Sequence, residues 1–203
     1  THIRHSEKVF NMKRLLLILI LTFSFQSWTK ANDIRDFEIE GISIGDSLLD
    51  YFTLEQINKR EKFYYPKSKK FAGLSFANQN FYKTFDAVQF TFKETDFKIA
   101  SIGGELYFKN DFDNCLKKKD QITNDLKDMF SNEVQVEYGT FKAHAFDKSG
   151  KSKSITVYFE FKNGDVVKVS CYDWAKNINF DNSLMLSIDP YEIRLFLSNE
   201  AYN

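Results

Sequence analysis

The chain is poor in the residues that build metal and redox sites. Of its 203 residues only two are cysteine, Cys115 and Cys171, and of three histidines only His144 lies beyond residue 31. That stock excludes a zinc site built on four cysteines and a histidine-rich one. No C-x-x-C pair is present, which removes the thioredoxin-type redox motif. Acid pairs such as Asp111/Asp113 lack the spacing of a calcium loop and read as charge at a helix N-terminus. Two prolines and eight glycines are too few for a collagen-like or low-complexity chain. Positive charge is not in excess either, with 28 basic and 28 acidic residues. Residues 1–31 hold five of the basic residues and one of the acidic, so the remainder has net charge −4. A nucleic-acid partner, whose affinity rests on neutralised phosphates, is not expected. The longest apolar run, Leu15 to Phe25, has 11 residues, whereas a membrane-spanning helix needs about 20.

That run has another reading. Lys13 and Arg14 follow Met12 as a basic n-region, the run itself has the length of a secretory h-region, and Thr29-Lys30-Ala31 ends on a small residue. The pattern predicts a signal peptide cleaved after Ala31, with Thr1 to Asn11 as translated upstream sequence. The expected organisation is 1–31 as upstream residues and signal peptide and 32–203 as a single α+β domain, exported to the periplasm or beyond, with no transmembrane segment in the mature chain. Twenty-two phenylalanines and ten tyrosines supply a large core. In an oxidising compartment Cys115 and Cys171 are expected to pair. The bond closes a loop of about 57 residues, worth ~4 kcal/mol in the chain-entropy model.

Along the chain, Ser43 and Asp46 fit a capping box that opens a short N-terminal helix, and Thr53 to Gln56 repeats it. Residues 60–84 read as irregular. Val88, Phe90 and Phe92 alternate as a strand, and Lys98 to Phe108 is another, its Gly103-Gly104 marking a bulge or a close approach. Phe112 to Phe130 turns to helical period, capped by Asn110 or Asp111, with Cys115, Leu126 and Phe130 on the apolar stripe. Val134 to Tyr138, Ile155 to Phe161 and Val167 to Cys171 alternate again. The turn at Asn163-Gly164 has two registers. Only a three-residue loop with Gly164 in the left-handed region puts Phe159 beside Val167, Val157 beside Val169 and Ile155 beside Cys171 on one face. Leu184 to Ile188 is a short strand, and Asp189-Pro190-Tyr191-Glu192 starts a C-terminal helix with Asp189 as N-cap. The expected fold is α+β. It has an antiparallel sheet of about six strands, a long amphipathic helix packed on one face, and short N- and C-terminal helices.

Motifs that resemble chemistry do not hold up in context. Ala145 to Ser152 matches a loose phosphate loop, but a strand follows where the mechanism needs a helix N-terminus, so it reads as a turn. No cofactor is expected. His144 alternates with Ala143 and Ala145 and is expected to face out. Asp36, Asp46, Asp50 and Asp173 offer no pair whose spacing singles out glycosidase-type chemistry. The sharpest local feature is Lys59 to Phe71, where cations interleave with aromatics. Lys67, Lys69, Lys70, Tyr64 and Tyr65 are the candidate binding residues, suited to an anionic polymer or lipid headgroup.

The stretches IEGISIGDSLLDYF, HAFDKSGKS and FKNGDVVKVSCYDW, with the helix around Cys115, resemble a group of uncharacterised small exported bacterial proteins. That likeness implies export and the disulfide, and no activity. The opening GISIGDS helix is also similar to that of the small outer-membrane assembly lipoproteins of the BamE type, although this chain lacks their lipidated cysteine. The expected role is a non-enzymatic binding or interaction module of the envelope or periplasm, with an envelope protein or an anionic envelope component as partner. The alternatives are a periplasmic hydrolase using carboxylates near Asp173, and an inhibitor or envelope-assembly factor acting on another protein.

Overall fold

Alternation of apolar and polar residues dominates the second half of the chain, and in the computed structural model it becomes one antiparallel sheet. The structure describes residues 33–130, 133–144 and 147–202. The predicted signal peptide, its cleavage after Ala31, and Ala145 and Phe146 of the loose phosphate-loop match lie outside the described residues.

After a 3-10 turn at Ile34–Asp36, β1 (Glu38–Ile39) pairs with β2 (Ile42–Ser43) in a two-stranded ribbon. A 3-10 turn at Leu48–Asp50 and helix α1 (Leu54–Asn58) follow. Then come β3 (Phe63–Tyr65), β4 (Ser68–Ala77), β5 (Ala87–Phe92) and β6 (Ile99–Lys109). Helix α2 (Phe112–Phe130) interrupts the strands. Next are β7 (Val134–Tyr138), β8 (Lys142–Ala143), β9 (Lys153–Phe161), β10 (Val166–Asp173) and β11 (Asn182–Asp189). Helix α3 (Tyr191–Asn199) closes the order. The main sheet runs β3-β4-β5-β6-β11-β10-β9-β7, with β8 also on β9.

The sheet therefore has nine strands among the described residues, not about six. The surplus comes chiefly from residues 60–84, which are not irregular. β3 and β4 form a hairpin there, with Phe71, Ala72, Leu74 and Phe76 buried along β4. Lys69 and Lys70 before those positions, and Gly73 and Ser75 among them, hide the alternation.

The β9–β10 hairpin adopts the three-residue loop. Gly164 has φ +87°, the Phe161 amide donates to the Asp165 carbonyl at 2.9 Å, and Phe159, Val157 and Ile155 sit opposite Val167, Val169 and Cys171. Cys171 thereby points to the face that carries α2, and it is bonded to Cys115 across a Cα separation of 6.0 Å. Asp111 caps α2 by accepting from the Asn114 amide at 3.1 Å. One position departs from the expected stripe. Lys119 is buried on the inward face, its ammonium reaching Asp120 at 2.6 Å.

Helix α2 covers only part of that face, over β6, β11 and β10. The β4–β5 part is covered by the N-terminal segment. Phe52 stacks on Phe76 at 3.6 Å between ring centroids, and Ile34, Ile42, Leu48 and Ile57 are fully buried in the same core. The entry to that segment is shifted from expectation. The Asp46 carboxylate does reach back to the Ser43 amide at 2.9 Å, but Ser43 ends β2. The capping boxes that start turns are Ser47 with Asp50 and Thr53 with Gln56.

Replacing both cysteines by serine releases a loop with a sequence separation of 56. The expected loss is about 4 kcal/mol of unfolding free energy, read as a lower urea midpoint, with the native far-UV spectrum kept at low denaturant. An unchanged midpoint contradicts the assignment of the bond as a main stabiliser of the fold.

Candidate functional site

Every strand that sends an apolar residue to the core sends its neighbour to the other face. On that second face the cross-strand rows are unusually small. Gly73, Thr91 and Ser101 line up across β4, β5 and β6. Ser75, Gln89, Gly103, Ser187 and Lys168 continue in the next row across β4, β5, β6, β11 and β10. A Cβ on Gly103 would lie 2.8 Å from the Met185 sulfur, so only glycine lets that side chain lie across the floor. The Phe63 ring similarly lies over Gly73. The result is a groove of about 520 Å³ sunk into the sheet itself, within the range of small-ligand sites.

Its walls come from three places. Phe63 and Tyr65 of β3 stand at one side, 5.3 Å apart between centroids and with Tyr202 beyond Tyr65 at 5.9 Å. Tyr172 and Met185 stand at the other side. Ile193 and Leu197 of α3 close one end. Helix α3 is held there by the β9–β10 turn. The Asp165 carboxylate accepts from the Tyr191 amide at 2.7 Å, the Tyr191 ring covers Gly164, and Arg194 reaches the Gly164 carbonyl and Glu160. Ile193 and Phe196 bury against Phe71 and Ala201 on its inner side.

Asp165 thus takes the capping role expected of Asp189. Pro190 is the N-cap residue and makes no side-chain bond. Asp189 turns inward to the groove instead. It is buried, accepts from the Ser101 hydroxyl at 2.5 Å, and pairs with the Lys168 ammonium at 2.5 Å. Burial works against the charge on Lys168, but Asp189 outweighs it and raises the lysine pKa above its usual value. A lysine held protonated in this way cannot act as a base towards Ser101. The triad is a charge-neutral, hydrogen-bonded anchor rather than an activated nucleophile.

Other titratable groups sit around the same face. Burial raises the Glu105 carboxyl, against hydrogen bonds from groups that include Gln89 and Tyr107, and the Asp86 charge adds to the rise. Burial and then the Glu105 charge push Tyr107 up to about 12. His144 does not simply face out. It is half-buried with its ring 4.5 Å from Trp174 and 5.5 Å from Tyr172, and burial lowers its pKa against the pull of Asp147. Asp147 is spent on its own turn, accepting from the Ser149 and Ser152 amides and the Ser152 hydroxyl. Among the described residues no three of His, Cys, Asp and Glu converge as a metal would require, and no helix is long and apolar enough to cross a membrane.

The five candidate binding residues read from the sequence do not converge. Tyr65 lines the groove, whereas the Tyr64 hydroxyl donates to Glu94 at 3.0 Å, beside the Lys62–Glu94 pair. Lys69 lies over the Tyr64 ring at 5.9 Å. Lys70 pairs with Glu200 at 3.4 Å and lies over Phe71. Lys67 is exposed at the β3–β4 turn, its amide bonded to the Ala201 carbonyl. Apart from Tyr65, the groove residues escaped the sequence reading. Their one signal is that the outward positions of β4, β6 and β11 are rich in glycine and serine, with Gly103 its visible part.

Comparison with known proteins adds little. No family model matches the chain, and no curated protein matches it. Among solved structures it is similar to the solution structure of cyanobacterial PsbP (CyanoP) from Synechocystis sp. PCC 6803, at 12% identity and a TM-score of 0.33, over 68% of this chain and 83% of that one. That likeness is too distant to bear on fold or function.

The anchor pair gives a direct expectation. Asp189→Ala leaves the Lys168 charge in the groove without its partner and is expected to cost about 3 kcal/mol of stability. Adding Lys168→Met should restore most of that loss in a double-mutant cycle. Additive losses in the double variant would contradict a coupled pair.

Proposed function

We propose that residues 32–203 act, after export, as a non-catalytic binding module whose ligand lies in the groove on the open sheet face. One observation carries this reading. A cavity of about 520 Å³ is floored by the central strands and holds convergent polar groups around a neutralised Lys168–Asp189 pair. Export rests on the basic, apolar and small-residue pattern of residues 12–31 and on the Cys115–Cys171 bond, which suits an oxidising compartment. The partner is then an envelope component small or narrow enough to enter the groove. An anionic partner on Lys67 and Lys69 is the rival surface, weakened because Lys62 and Lys70 are already paired with Glu94 and Glu200.

A second reading has one observation in its favour. Glu105 is a carboxyl raised by burial beside the Asp86 charge, the environment of a general acid. A carboxylate-dependent hydrolase would use it, rather than Asp173 at the end of β10.

The groove reading is tested by amide NMR of the oxidised, isotope-labelled protein titrated with the low-molecular-mass fraction of an envelope extract. Shifts are expected along β4, β5, β6, β10 and β11, and Ser187→Trp, which fills the floor, should abolish them. Shifts confined to Lys67 in the β3–β4 turn and to Lys69 and Lys70 at the start of β4, or none at all, would overturn it.

A further inference from the structure

We infer that the groove takes a neutral, hydroxyl-rich ligand, a saccharide. This rests on the proposal that the groove is the binding site and adds the chemistry of its occupant.

The charges in the groove decide most of it. On the floor, the only cation and the only anion among the described residues are Lys168 and Asp189, and they neutralise each other at 2.5 Å. Glu61 stands exposed at the rim. A phosphate or carboxylate ligand would meet no spare cation, and an ammonium ligand would have to break the pair.

The remaining floor groups are neutral and two-way. Serine and threonine hydroxyls and the Gln89 amide both donate and accept. Ser75, Thr91 and Ser187 lie close to Gln89 in the cross-strand rows, and Ser101 keeps acceptor capacity after donating to Asp189. A purely apolar ligand would strip water from these groups and return no hydrogen bond. A ligand whose own hydroxyls donate and accept replaces that water directly.

The backbone adds a further restriction. The floor strands are paired on both sides, so their amides and carbonyls are held in the ladders. An extended peptide binds a sheet by adding to a free edge, and the groove floor has none. Recognition must come from side chains alone.

The walls complete the fit. Phe63 and Tyr202 are 55% and 56% exposed, and Tyr65 and Tyr172 are half-buried facing the groove. Aromatic faces carry partial negative charge and attract the C–H faces of a pyranose ring, whose hydroxyls point sideways. A polar floor between aromatic walls matches both aspects of such a ring.

The test is calorimetric titration of the oxidised protein with neutral cello-, malto- and chito-oligosaccharides, and with oligogalacturonate as the anionic control. Binding of at least one neutral series is expected at millimolar concentration or below, with an affinity unchanged by added salt. Tyr172→Ala should weaken it about tenfold, the loss of one ring contact. The exposed substitutions Gln89→Leu and Tyr202→Ala, which leave the core untouched, should weaken it too. Lys67→Glu should not. Binding of oligogalacturonate alone, falling with salt, would overturn the inference. So would silence from every neutral series while envelope extract still shifts the groove amides, an outcome that leaves the groove reading intact. Loss of both signals removes the groove reading as well.

Discussion

The register of the β9–β10 hairpin is the constraint on which the rest depends. Side chains alternate with period two, so a slip of one residue would exchange the two faces of a strand. Gly164, at φ +87°, admits the three-residue loop. That loop places Val157, Phe159, Val167 and Val169 in the core and aims Cys171 at the helix bearing Cys115. The same register sends Lys168 and Tyr172 to the opposite face, where they become the floor and wall of the groove. The turn also holds α3, because Asp165 caps it and Gly164 leaves room for the Tyr191 ring. Core, disulfide, groove and closing helix therefore share one local cause.

The second face of the sheet shows how a binding surface arises without a long loop. Large outward side chains would fill it. Small ones at Gly73, Ser75, Ser101, Gly103 and Ser187 leave a trough, and β3, β10 and α3 stand around it. Exposed polar surface of this kind costs little while water occupies it. The single charged pair is matched at short range, which removes the electrostatic penalty of a lone ion. Away from the groove, carboxylates also close loop backbone. The Glu40 carboxylate, for example, gathers the Lys83, Thr84 and Phe85 amides at 2.6 to 2.7 Å, and despite some desolvation these bonds lower its pKa.

Much of the fold was legible in the sequence. Strong alternation gave β5, β9 and β10, helical period gave α2, facial consistency gave the hairpin register, and two cysteines in an oxidising compartment gave the pairing. What escaped did so for physical reasons. In β4 the core-facing Leu74 and Phe76 follow Lys69 and Lys70 and are split by Ser75, while Phe71 turns to the α3 side, so the strand reads as a loop. Ser43 and Asp46 form the expected bond, yet such a box does not require a helix, and the chain uses it to leave β2. Asp189 sits where a cap should be, but the half-buried Lys168 on the neighbouring strand is a stronger partner than a helix amide, and Asp165 of the β9–β10 turn was placed to cap. The groove was the least legible part. An outward serine in a strand looks like ordinary surface, and only pairing across β4, β5, β6, β11 and β10 shows that the small residues form rows.

The central claim is that the open sheet face, and not the helix-covered one, receives the ligand. Methionine methyl NMR tests it most directly, because Met185 lies in the groove and Met129 packs on α2 against the core. With the methyl groups isotope-labelled and a neutral oligosaccharide added, the account predicts that the Met185 signal moves and saturates while Met129 stays in place. Movement of Met129 with Met185 unchanged, or no movement of either at concentrations where calorimetry reports binding, would contradict it.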